Sequence, residues 1–171
     1  MDVENMTRMI RKFAAFALFA AALPLAASSS LNGQSAPDFS LKSFSGETLS
    51  LSTYKGEVVM INFWATWCGP CRQEMPILDE LYSRYERAGF KLLGVNIDDD
   101  PNRAREMLTE LGVSFPVLFD SEKEVSALYA VQAMPVSVMV DREGTVRYTH
   151  HGYRPGYEDK YLDQIRELIR E

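Results

Sequence analysis

The chain has 171 residues, 46% hydrophobic and 25% charged, which suits one globular domain with a short appendage and excludes disorder, collagen and coiled coil. Eighteen Lys and Arg against 24 Asp and Glu leave a net charge of −6, so no basic face for a nucleic acid partner is expected. Two cysteines are too few for a disulfide scaffold or a four-cysteine zinc site, but they suffice for a redox pair.

In chain order, Arg8, Arg11 and Lys12 precede the apolar run from Phe13 to Leu25, and Pro24-Leu25-Ala26-Ala27 offers the small residues a signal peptidase prefers. The run is short of the roughly 20 apolar residues that span a membrane. Residues 1–27 therefore read as a signal peptide, with an uncleaved N-terminal anchor as the alternative. The destination is periplasmic or otherwise extracytoplasmic, membrane-anchored if the segment stays. Residues 28–36, rich in Ser, Asn, Gly and Gln, read as a flexible lead-in, and residues 37–171 are left for the folded domain.

Phe39 to Leu51 alternates around Ser45-Gly46-Glu47 and predicts a β-hairpin. The nearly continuous apolar run Val58 to Trp64 predicts a central strand covered on both faces. A helix from about Cys68 to Ala88 follows. Leu78, Leu81, Tyr82 and Tyr85 form its apolar stripe, Gly89 suits its stop, and Pro76 should kink it. Lys91 to Ile97 is a second buried strand. Asp100 and Pro101 then open a helix with Ala104, Met107, Leu108 and Leu111 on one side. Val117 to Phe119 reads as a strand and Glu122 to Tyr129 as a short helix. Val136 to Val140 and Thr145 to Thr149 form a hairpin across Asp141-Arg142-Glu143-Gly144. The last helix spans about Gly156 to Arg170, with Tyr161, Leu162, Ile165, Leu168 and Ile169 inward. Early strands alternating with helices and a late hairpin give a mixed sheet sandwiched by helices.

The chemistry lies at Trp67-Cys68-Gly69-Pro70-Cys71, where a buried strand turns into a helix. Two thiols on one helical turn can close a small reversible disulfide. Cys68, near the unsatisfied N–H groups and positive dipole end, is the expected nucleophile, since both features favour thiolate. Cys71, one turn in and more covered, is the expected resolving thiol. Gly69 and Pro70 keep the loop tight. A purely structural disulfide this local would remove little chain entropy. A zinc site would need His150 and His151, which point to opposite faces of a strand, so no metal and no cofactor are expected. Trp67 should form an apolar rim beside the disulfide and Trp64 should pack in the core. Asp98-Asp99-Asp100 reads as a helix cap with solvated acids.

The stretch from Asn62 to Pro76 resembles the active-site signature of the thioredoxin fold. It is most similar to the exported TlpA/ResA-like thiol–disulfide oxidoreductases, a group that includes cytochrome c maturation reductases. The resemblance extends over most of residues 36–171, through Phe115-Pro116-Val117-Leu118-Phe119-Asp120 and Met134-Pro135. It implies a thioredoxin-like three-layer α/β/α fold with a mixed central sheet, an N-terminal β-hairpin and a central α-β insert. It also implies that Pro135 is a cis-proline facing the disulfide and that Met134 presents its backbone to a substrate strand. Common thioredoxins carry a buried Asp where this chain has Asn62, which cannot exchange protons. The TlpA/ResA-like proteins carry a Glu three residues after the second cysteine, and Glu74 matches it; a desolvated carboxylate there could shuttle the proton of Cys71. A surface helix glutamate is the plainer alternative.

The leading expectation is a disulfide reductase acting on oxidised client proteins, with a membrane thiol electron donor and a role in cytochrome c biogenesis implied by the resemblance. An oxidase or isomerase with the same site, or a non-catalytic metal-binding module, are the competitors. A peroxidase fits less well, because Ala65 stands where a Ser or Thr would be needed. Nothing in the sequence fixes an oligomeric state.

Overall fold

The computed structural model describes residues 30–171, so the expected signal segment lies outside the described residues. Gly33 N–H donates to Val146 O (2.7 Å), Val146 N–H to Gln34 O (2.9 Å) and Ala36 N–H to Gly144 O (2.9 Å). The expected hairpin follows as two short strands, β1 (Ser40–Lys42) and β2 (Thr48–Ser50), paired antiparallel with Ser40 opposite Ser50. Gly46 turns the chain between them at φ +93°, a conformation that L side chains resist.

The uncharged run Val58–Trp64 becomes β3, buried at every position. It is joined through α1 (Gly69–Tyr85) and a 3₁₀ turn (Glu86–Ala88) to β4 (Phe90–Asn96), which pairs with it in parallel. α1 continues through Pro76, which sits exposed on it, and the connection stops at Gly89 with φ +91°. Asp100 caps α2 (Pro101–Leu111) by accepting from Asn102 N–H at 3.0 Å, as its position before Pro101 predicts. β5 (Val117–Phe119) lies parallel to β4, and α3 (Glu124–Leu128) follows. β6 (Val136–Val140) and β7 (Val146–His151) form the late hairpin, and α4 (Tyr157–Arg170) closes the chain.

The sheet runs β5-β4-β3-β6-β7, with β6 antiparallel to β3. Its two faces carry separate cores, because neighbouring residues of a strand point to opposite sides. Val58, Met60 and Trp64 face Met75, Leu78, Leu108, Ile165 and Leu168 of α1, α2 and α4. Val59, Ile61 and Phe63 face Phe39, Leu51, Val125 and Tyr129 from the hairpin side and α3. This is the expected three-layer α/β/α arrangement with a mixed sheet.

Candidate active site at the start of helix α1

The loop that leaves β3 ends at Cys68, whose extended backbone (φ −89°, ψ 101°) makes it the N-cap of α1. Cys68 and Cys71 are joined as a disulfide, and Cys71 N–H donates to Cys68 Sγ at 3.2 Å. The sulfur of Cys68 thus sits against the free N–H groups of the first turn, where a thiolate is favoured. Cys68 is only 5% exposed, less open than a first-turn position suggests, while Cys71 has no exposed surface at all. The expected order of access survives, but as a difference between a sliver and nothing. Trp67 is 69% exposed beside them, whereas Trp64 is fully buried. Gly69 and Pro70 form the exposed first two residues of the helix.

Pro135 follows a cis peptide bond from Met134 and is buried. It immediately precedes Val136, which pairs with Phe63, so it leads into β6 at the end of the sheet where β3 delivers Trp64 to the cysteine loop. Met134 packs against the apolar cluster that contains Cys68 and Cys71. The carbonyl of Pro135 accepts from Gly152 N–H at 2.7 Å, which ties the chain after β7 to the same end.

Glu74 is not a surface glutamate. It is fully buried, one turn beyond Cys71 on α1. Tyr161 O–H donates to its Oε1 at 2.7 Å, Asn62 Nδ2 to its Oε2 at 3.0 Å, and Ser137 O–H reaches Oε1 at 3.5 Å. Burial pushes its pKa up to about 7, against the opposing pull of the bonds from Tyr161, Asn62 and Ser137. Asn62 also donates to Ser137 Oγ at 2.9 Å, while its own Oδ1 is a buried acceptor without a hydrogen-bond partner among the described residues.

Sequence reasoning set Asn62 aside as unable to exchange protons and counted Tyr161 as core. The structure brings both, with Ser137, onto Glu74. A signal was present: Asn62 and Ser137 are single polar residues in apolar strands, and they lie directly opposite each other in the β3–β6 register. The acids after β4 also differ from expectation. Asp98 is buried, not solvated, and accepts from Thr66 N–H and Thr66 O–H (3.0 Å each) and from Asn96 Nδ2 (2.7 Å). It anchors the loop leading to Cys68. Asp99 is exposed and pairs with Lys123.

A mixed sheet whose central strand delivers a C-x-x-C disulfide to a helix start, with a cis-proline at the same end, defines a thioredoxin-fold dithiol–disulfide protein. The redoxin family model matches residues 31–165. Thiol-disulfide oxidoreductase ResA of Geobacillus thermodenitrificans is 36% identical over 115 residues, which cover 67% of this chain and 66% of that protein. ResA of Bacillus thuringiensis subsp. konkukian is 33% identical over 134 residues, 78% of each. A Chlorobium tepidum structure designated thiol:disulfide interchange protein DsbE shares 37% identity and a TM-score of 0.78, over 81% of this chain and 97% of that one. The chain belongs to the redoxin family, among the ResA-like thiol–disulfide oxidoreductases of the thioredoxin superfamily.

Proposed function

We propose that this chain is an extracytoplasmic thiol–disulfide oxidoreductase working in the reducing direction on client proteins. In this reading residues 1–27 are the signal or anchor, 28–36 the lead-in and 37–171 the catalytic domain. The observation that carries it is the Cys68–Cys71 disulfide at the start of α1, beside exposed Trp67 and one turn from buried Glu74. In the reduced form, the Cys68 thiolate attacks a client disulfide: a Cys68–client bond forms, the client S–S bond breaks, and one client sulfur leaves to take a proton. Cys71 then gives its proton to Glu74 and attacks Cys68 Sγ. The mixed disulfide breaks, the Cys68–Cys71 bond forms, and the second client sulfur leaves and is protonated. The client has gained two electrons. A thiol donor at the membrane restores the dithiol, and apocytochrome c is the client class that the ResA resemblance suggests.

Glu74 suits the proton step because a carboxyl titrating near 7 can both accept and release a proton at neutral pH. Met134 and Pro135 fit a client segment laid along the end of β6, with Trp67, Gly69 and Pro70 as the apolar rim.

Replacing Cys71 by Ser removes the resolving thiol, so clients should accumulate as long-lived mixed disulfides on Cys68, visible on non-reducing gels. Trapping by Cys68→Ser in its place would reverse the two roles. The Gly-Pro spacer resembles that of reducing thioredoxins. The couple, equilibrated against glutathione, should therefore lie nearer the thioredoxin end of the scale, about −270 mV, than the strong-oxidant end near −120 mV. A potential above about −180 mV would favour the oxidase or isomerase reading.

A further inference from the structure

We propose that Asn62, Ser137 and Tyr161 are positioning residues that set the proton affinity of Glu74, with Tyr161 as the principal one. The inference rests on the reading of Glu74 as the proton carrier, and it assigns the control of that carrier to three residues on three other elements. Asn62 comes from β3, Ser137 from β6 and Tyr161 from α4, and all three are buried. They converge on one carboxylate through the contacts at 3.0, 3.5 and 2.7 Å.

Every group bonded to that carboxylate is neutral, and among the described residues no ion pair includes Glu74. A neutral cage supports the anion without locking it, whereas a paired Lys or Arg would hold it ionised throughout the neutral range. The remaining titratable groups around the carboxyl are few. Cys71 lies one turn back on α1. Tyr153, in the segment between β7 and α4, has its phenol pushed up by burial first and then by Glu158, with the Glu74 charge adding the smallest share. His150 of β7 stands behind Tyr161, with ring centroids 5.0 Å apart, and burial holds its pKa down.

Tyr161 leads for two reasons. Its bond is the shortest of the three, and its ring packs T-shaped against both His150 and Tyr157, with centroids 5.0 and 6.4 Å away. That packing keeps the hydroxyl aimed at Oε1. Asn62 spends both amide protons, on Glu74 and on Ser137, so it ties Ser137 to the carboxylate.

A cage that merely satisfies buried polar groups would matter for stability alone. The test is therefore the titration of Glu74 itself, followed by ¹³C NMR of its labelled side-chain carboxyl in the oxidised full chain, with Glu74→Gln used to assign the signal. Tyr161→Phe keeps the ring packing and removes one donor to the anion. It should weaken acidity about tenfold, moving the midpoint upward by about one pH unit. Ser137→Ala should move it the same way by less, since that contact is long, and it stands in if Tyr161→Phe fails to fold. A folded Tyr161→Phe with an unmoved or lowered midpoint overturns the inference. The Glu74 reading is judged separately: if Glu74→Gln leaves the pH–rate profile of mixed-disulfide resolution unchanged, that reading fails, whatever the NMR midpoints do.

Discussion

Glu74 ties the site to the stability of the fold. Folded, it keeps its proton up to about pH 7, whereas an unfolded chain releases it near the ordinary 4.5. The unfolded state therefore binds fewer protons between these values. The stabilisation due to the proton is complete below about pH 4.5 and is lost as pH rises through about 7. From this group alone the parent should lose about 2–3 kcal/mol between pH 4.5 and 8. Glu74→Gln removes the titration, and turning over the Asn62 amide would offer its unpaired oxygen to the new amide protons. Denaturant unfolding at pH 5 and pH 8 should show the variant gaining on the parent by that amount at the higher pH. An equal difference at both values would contradict the raised proton affinity. Cys68 and Cys71 stood out by their spacing at a helix start, and Glu74 was singled out by the family resemblance. The partners of Glu74 were not, since Ser137 and Tyr161 come from 63 and 87 positions along the chain and meet it only when the sheet forms.

At the scale of elements, strands and helices followed the hydrophobic pattern closely, and local side-chain bonding set the differences. The short helix expected over 122–129 begins at Glu124 because Lys123 takes a left-handed conformation (φ 59°), and the Asp120 carboxylate accepts from Val125 N–H (3.2 Å) and Ser126 N–H (2.7 Å). An acid four or more residues ahead of a helix it supports gives no cap signature. Asp98 escaped for a similar reason: in sequence it adjoins a helix cap, in space it holds Thr66 across from β4. Asp98→Ala would leave the Thr66 N–H without its acceptor, at a cost of about 1–3 kcal/mol. Hydrogen exchange should then show the Thr66 amide losing protection while the amides of β3 keep theirs. Unchanged protection at Thr66 would mean that the loop is held by something other than this carboxylate.

Across the whole molecule, the sheet separates two apolar cores and brings its chemistry to one end, where β3 releases the cysteine loop and Pro135 leads into β6. Its two flanks are treated differently from that end. β5 is three residues long, and its outer side is engaged by Ser43, bridged to Leu118, and by Phe44 N–H, bonded to Val117 O at 2.8 Å. On the far flank, the start of β7 is engaged by Gln34 and its neighbours, and Thr149 reaches Asn32 at 2.8 Å. Unpaired strand borders are where proteins template their own polymerisation. A protein whose proposed work brings it repeatedly against partly folded chains is exposed to that hazard more than most. Here the hairpin and the lead-in act as selvedges on the sheet: they occupy the outer side of β5 and the first residues of β7, and so shorten the main chain onto which another molecule could zip.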